Sequence, residues 1–184
     1  MINRRGLVVG ALQGVLLLVI AGQLLLDRAS RPRGWARTEP VDPDLPIRGR
    51  YLDLRLVVPM ETSAAPAGAW HSPMLGGFQM VQLGERNRRL VASFAVDRDR
   101  GRNGTAPLAA KVETRNGRPV ALLQEPLAFF LPEHAKDPSE RPRGQELWVD
   151  VTLPAEGAPQ PIRLGVKTAA DAADDAAIVP LNLR

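Results

Sequence analysis

Setting aside about 45 N-terminal residues, the 184-residue chain leaves roughly 140, the usual size of one domain with its own core, in which a second domain would be cramped. Hydrophobic residues make up 45% and aromatics only 4%, which excludes a disordered chain and predicts a core of Leu, Val, Ala and Ile. The net charge is +4 and the pI near 10.3, but 21 of the 24 basic residues are arginine, which reads as a coding bias and not as a design for nucleic acid; the absence of cysteine excludes disulfides, thiolate nucleophiles, Cys-ligated zinc and an acylated lipoprotein anchor.

Residues 1–6 form a short tail, and residues 7–26, Leu7 to Leu26, follow without a charge. Twenty residues of helix span roughly 30 Å, the hydrocarbon thickness of a bilayer, so this segment is expected to cross a membrane. Arg4 and Arg5 precede it as in a signal sequence, but the apolar run exceeds the length typical of a cleaved signal. A retained signal-anchor is therefore expected; cleavage after Val19-Ile20-Ala21 would instead leave Leu24, Leu25 and Leu26 at the start of the mature chain. Arg28, Arg31, Arg33 and Arg37 outnumber Arg4 and Arg5, so the distribution of basic residues does not set the orientation. The short tail and the long C-terminal part favour a single pass through the inner membrane with the C-terminal domain in the periplasm. Within the helix Gly6, Gly10 and Gly14 recur every four residues, with Gly22 on nearly the same face and Gln13 beside it. Such a face admits a second helix, from a membrane-embedded partner or a second copy of this chain, whereas the plainer reading is that glycine is simply frequent in membrane helices.

Residues 27–46 carry Pro32, Pro40, Pro43 and Pro46 among charges and predict an extended spacer, leaving residues 47–184 as a β-rich domain. Period-2 alternation marks strands at Tyr51–Val58, Leu90–Asp97 and Glu146–Leu153, with weaker candidates at Phe78–Leu83, Pro161–Val166 and Ile178–Leu183. Asn116-Gly117 between two apolar-bearing runs predicts a type I′ hairpin over Lys111–Leu123. Met60 to Gly77 reads as a loop carrying Trp70, and Thr168 to Ala177 as a short surface helix capped by Thr168. The fold class is thus mainly β: one N-terminal transmembrane helix and an antiparallel β-sandwich or small barrel.

Chemistry is thin. His71 and His134 are the only histidines, both in expected loops, and Ser72 beside His71 lacks the surroundings of a catalytic nucleophile. Asp171, Asp174 and Asp175 lack the turn-making glycine and ligand number of a calcium loop. The clusters Arg86, Arg88, Arg89 and Arg98, Arg100, Arg102 have the charge to meet phosphates, but the second alternates with Asp97 and Asp99 and reads as a solvated turn. Asn103-Gly104-Thr105 matches a glycosylation sequon and is read as a turn. No phosphate-binding glycine loop, catalytic group, metal site or cofactor is expected.

The segment Pro46-Ile-Arg-Gly-Arg-Tyr-Leu-Asp-Leu-Arg-Leu56 resembles the motif of the GDYXXLXY family of membrane-anchored bacterial proteins. Gly49, Tyr51 and Leu54 match, while Arg50 replaces the motif's aspartate and Leu56 its last tyrosine; Phe129-Phe130-Leu131-Pro132-Glu133 is similar to the family's aromatic strand ending in Pro-Glu. The resemblance implies a single-pass anchor and a β-rich domain, found beside multi-pass membrane proteins, without an established activity. From the residues themselves, Gly49 allows a turn into the strand, Tyr51 is expected to lay its ring over the core with the hydroxyl at the rim, Leu54 belongs in the core, and Glu133 sits in a turn. The function expected is a non-enzymatic, membrane-anchored accessory or interaction protein of the envelope, the alternatives being a weakly marked envelope hydrolase or a wall- or polysaccharide-binding module.

Overall fold

The computed structural model describes residues 4–41, 51–62, 77–95, 105–138, 140–154, 157–168 and 177–183. They divide into two compact units, residues 1–31 and 32–184. The first is a single helix, α1 (Arg4–Ser30). Leucine and alanine favour this helix, and its glycines weaken it only modestly. Among the described residues no helix is long and apolar enough to cross a membrane.

Among the described residues the second unit contains ten strands: β1 (Arg33–Pro40), β2 (Tyr51–Pro59), β3 (Gln79–Arg86), β4 (Arg89–Phe94), β5 (Leu108–Arg115), β6 (Arg118–Leu123), β7 (Leu127–Phe130), β8 (Gln145–Thr152), β9 (Gln160–Thr168) and β10 (Val179–Pro180). Six of them, in the order β1-β4-β3-β5-β6-β2, form a barrel that closes where β2 pairs with β1, from Arg37 opposite Val57 to Pro40 opposite Leu54. Strands β8, β9 and β10 continue the sheet beyond β1, and β7 extends it from β2. The expected small barrel is therefore present, and its ladders are antiparallel save one: β1 runs parallel to β4 at Trp35 and Arg89.

The spacer expected over residues 27–46 is not found at Arg33–Pro40, which form β1. This strand pairs with β2, with β4, and with β8 from Arg33 opposite Thr152 to Arg37 opposite Trp148. Its prolines do not prevent this, because Pro32 precedes the strand and Pro40 ends it, where a missing N–H interrupts no ladder.

Alternation explains the barrel core. Leu52, Leu54, Leu56 and Val58 of β2 point inward with Val81 and Leu83 of β3, Leu90 and Ala92 of β4, and Leu147, Val149 and Val151 of β8. The core is aliphatic, as composition implies, and each such side chain contributes about 1.5–3 kcal/mol on burial. Strand β8 departs from the half-buried expectation, since Trp148, Asp150 and Thr152 on its other face are also buried. The Asn116-Gly117 turn joins β5 to β6 with φ of 50° and 75°, both positive as a type I′ turn requires. A second hairpin of this kind joins β3 to β4 through Asn87 and Arg88, with φ of 52° and 61°. Thr168 is the last residue of β9, and the helix expected after it, with Asp171, Asp174 and Asp175, lies outside the described residues, as do Trp70, His71, Ser72, Gly49 and the Arg98–Arg102 cluster.

Candidate functional site

A cleft of about 760 Å³ lies in the β unit beside the β3–β4 turn. Its floor is set by two tryptophans, Trp35 of β1 and Trp148 of β8, exposed by only 8% and 9%. Trp35 can lie close to β9 because Gly165 has no side chain. A Cβ there would stand 2.9 Å from Trp35 Cζ3 and 2.6 Å from Ile178 Cγ2.

Cations cover the indole rings. The Arg163 guanidinium sits 5.2 Å from the Trp35 ring, while Arg89 and Lys167 sit 5.3 and 5.7 Å from the Trp148 ring, distances at which the ring quadrupole attracts a cation. Behind them Asp150, with a side chain only 4% exposed, accepts hydrogen bonds from Arg33 Nη2 at 2.8 Å and Arg163 Nε at 2.9 Å. A buried carboxylate needs such partners, and in return it fixes the plane of the Arg163 guanidinium. At the rim Arg86 pairs with Glu61 at 2.8 Å, an exposed contact of little energetic weight. Arg88 projects from the left-handed turn beside it. Arg86, Arg88, Arg89 and Arg163 all line the cleft, no carboxylate does among the described residues, and Ile178 and Pro180 add an apolar wall.

The residues singled out from the sequence lie elsewhere. Gly10, Gly14 and Gln13 sit on α1, as Gly6 does, and a Cβ at Gly10 or Gly14 would meet nothing within 4 Å. Leu54 is fully buried in the barrel, as expected. Tyr51 is not laid over the core: it is 46% exposed and packs edge-on against Phe130 with ring centroids 5.5 Å apart, because the alternation that buries Leu52 and Leu54 turns Tyr51 outward. The ladder from Tyr51 opposite Phe130 to Leu54 opposite Leu127 brings the two motif-bearing segments together at the barrel's edge, away from the cleft. Glu133 is exposed in the turn after Pro132. Thr105 of the sequon is buried, and its hydroxyl donates to the Leu83 carbonyl at 2.9 Å.

His134 is exposed and borders a smaller hollow of about 490 Å³ with Arg141, whose Nε and Nη1 are buried without a hydrogen-bond partner. Burial pushes the Arg141 guanidinium below its ordinary value, and the nearby Asp137 and Glu146 oppose that shift. Among the described residues no cluster of His, Asp or Glu could hold a metal ion.

Of the cleft residues, the sequence marked the Arg86, Arg88 and Arg89 cluster but gave no sign that Trp35, Trp148 and Arg163 join it. Together they make a cationic, partly aromatic recess suited to binding an anion. No protein-family profile, curated protein or solved structure matches the chain.

Proposed function

We propose that this chain is a membrane-tethered accessory protein of the bacterial envelope, anchored by α1 in the inner membrane with its barrel domain in the periplasm, and that it binds instead of catalysing. The observation that carries the reading is the circumference of α1. Leu16, Leu17, Leu18 and Val19 are consecutive, about 100° apart, and 59–73% exposed, so every face of the helix is apolar. A helix of that kind is buried in a large core or in lipid, and the uncharged run in the sequence extends from Leu7 to Leu26. The Arg- and Trp-lined cleft favours a binding module, of wall polysaccharide or another anionic ligand, over a hydrolase.

Absence of cysteine makes the test direct, because a single Lys136→Cys is the only thiol in the chain. The full-length variant should stay in the membrane pellet at alkaline pH and react with a membrane-impermeant maleimide once the outer membrane is opened. Release into the supernatant, or labelling only after the inner membrane is lysed, overturns the reading.

The partner proposed for the glycine face is a second transmembrane helix. A Cβ at Gly10 or Gly14 meets no described atom within 4 Å, so a loss of cross-linked partner in Gly10→Leu with Gly14→Leu, at unchanged membrane level, reports the interface. Unchanged recovery shows that the glycines are ordinary membrane composition.

A further inference from the structure

The cleft beside the β3–β4 turn concentrates positive charge. Among the described residues four arginines and no carboxylate line this recess, an arrangement that opposes compaction through mutual repulsion. Among the described acids near it, Asp150 is buried behind Arg163, Glu61 holds Arg86 from the rim, and Glu85 accepts a hydrogen bond from the Arg88 backbone N–H. Asp150 takes only the Nε of Arg163, which leaves Nη1 and Nη2 for another acceptor. Arg88 keeps a side chain at a left-handed turn position where glycine is the favoured residue; backbone strain of this kind collects where a side chain is used. Guanidinium forks match the oxygens of a phosphoryl group in a bidentate manner, more closely than a lysine ammonium does. Trp35, Ile178 and Pro180 place apolar surface next to these forks.

We infer that this cleft binds the phosphoryl group of an amphiphilic phosphate ester, with Arg88 and Arg163 on the phosphate oxygens and the apolar wall against the adjoining part of the ligand. The site lies wholly within the β unit, so the inference stands or falls separately from the anchoring role of α1. Two sources share this chemistry, the headgroup of an anionic phospholipid and a soluble phosphodiester.

The experiment uses the full-length chain in a neutral maltoside detergent, with tryptophan emission followed while phosphatidylglycerol is added to the micelles, or glycerophosphoglycerol to the solution. Diacylglycerol of the same chain length is the uncharged control. Saturable binding is expected with phosphatidylglycerol and not with diacylglycerol, weakening as salt rises. Losing one charge-assisted contact should weaken it about tenfold or more in Arg163→Gln and in Arg88→Gly. Arg88→Gly guards against a trivial result, because it suits the turn and should melt no lower than the parent. Equal affinity for glycerophosphoglycerol assigns the site to soluble phosphodiesters, and binding of the lipid alone assigns it to a headgroup. Absence of saturable binding to both phosphate ligands, or binding by both variants as tight as the parent's, overturns the inference.

Discussion

Arg88 shows how one backbone angle ties stability to use. At φ of 61° its Cβ crowds the neighbouring carbonyl, which costs an L-residue about 1–2 kcal/mol relative to the right-handed region. Arg88→Gly should therefore stabilise the β unit by about 1 kcal/mol, raising its melting temperature by roughly 2–4 °C, while Arg88→Ala, which keeps the Cβ, should give no gain. Thermal melts of the three proteins decide it. Charge acts on the opposite side of the hairpin register, where Glu113 is held below the ordinary carboxylate range by a hydrogen bond from Lys111, with Arg115 adding to the effect. Its folded-state value lies below its unfolded one, so this contribution is present at neutral pH and lost as pH falls through that lowered value. Glu113→Gln should flatten that acid-side decline in a series of melts between pH 3 and 7, and an unchanged slope would show that the contact carries no stability.

Among the elements, β1 matters most and was least legible. Arg33-Gly-Trp-Ala-Arg-Thr-Glu-Pro holds two arginines, a glutamate and a proline and has no period-2 pattern; Gly34, Trp35 and Ala36 are all buried in succession because neighbours cover both faces. Alternation reports a strand with one wet face, so β2 was plain from its leucines, and the same signal says nothing about a strand enclosed on both. The Asn116-Gly117 hairpin was legible because its residues suit positive φ; the Asn87-Arg88 hairpin was not, because arginine does not. The cleft follows the same division. Its arginine cluster is contiguous in sequence, whereas Trp35 and Arg163 reach it only through the pairing of β1 with β4 and of β8 with β9. The β1–β4 contact also permits a sharp test. A Cβ on Gly34 would lie 3.0 Å from the Arg89 carbonyl carbon and 3.1 Å from the Leu90 nitrogen, backbone atoms that cannot swing aside. Gly34→Ala should cost about 2 kcal/mol, within the usual range for overpacking, read as a lower midpoint in a urea titration; a midpoint equal to the parent's would mean that β1 does not pack so closely on β4.

For the molecule as a whole, the boundary between the units decides what can be separated. A fragment from Pro32 to Arg184 keeps all ten strands, and it should show β-type circular dichroism with one cooperative melt. A fragment from Ile47, the domain start expected from the sequence, loses β1 and with it the partner of β2, β4 and β8. It should aggregate or melt without cooperativity, and a cooperative melt from it would refute the role given to β1. The same strand governs the order of assembly during synthesis. Arg33 and Asp150 stand 117 positions apart, so at translation rates of about 5–20 residues per second β1 waits roughly 6–23 s for its last partner. The barrel strands β1 to β6 can close in that time, but the edge of β1 that receives β8 keeps unpaired N–H and C=O groups throughout, the condition under which strands pair with the wrong chain. The aggregation hazard of this domain thus belongs to the seconds of its synthesis, and a ribosome that stalls before Asp150 makes it permanent.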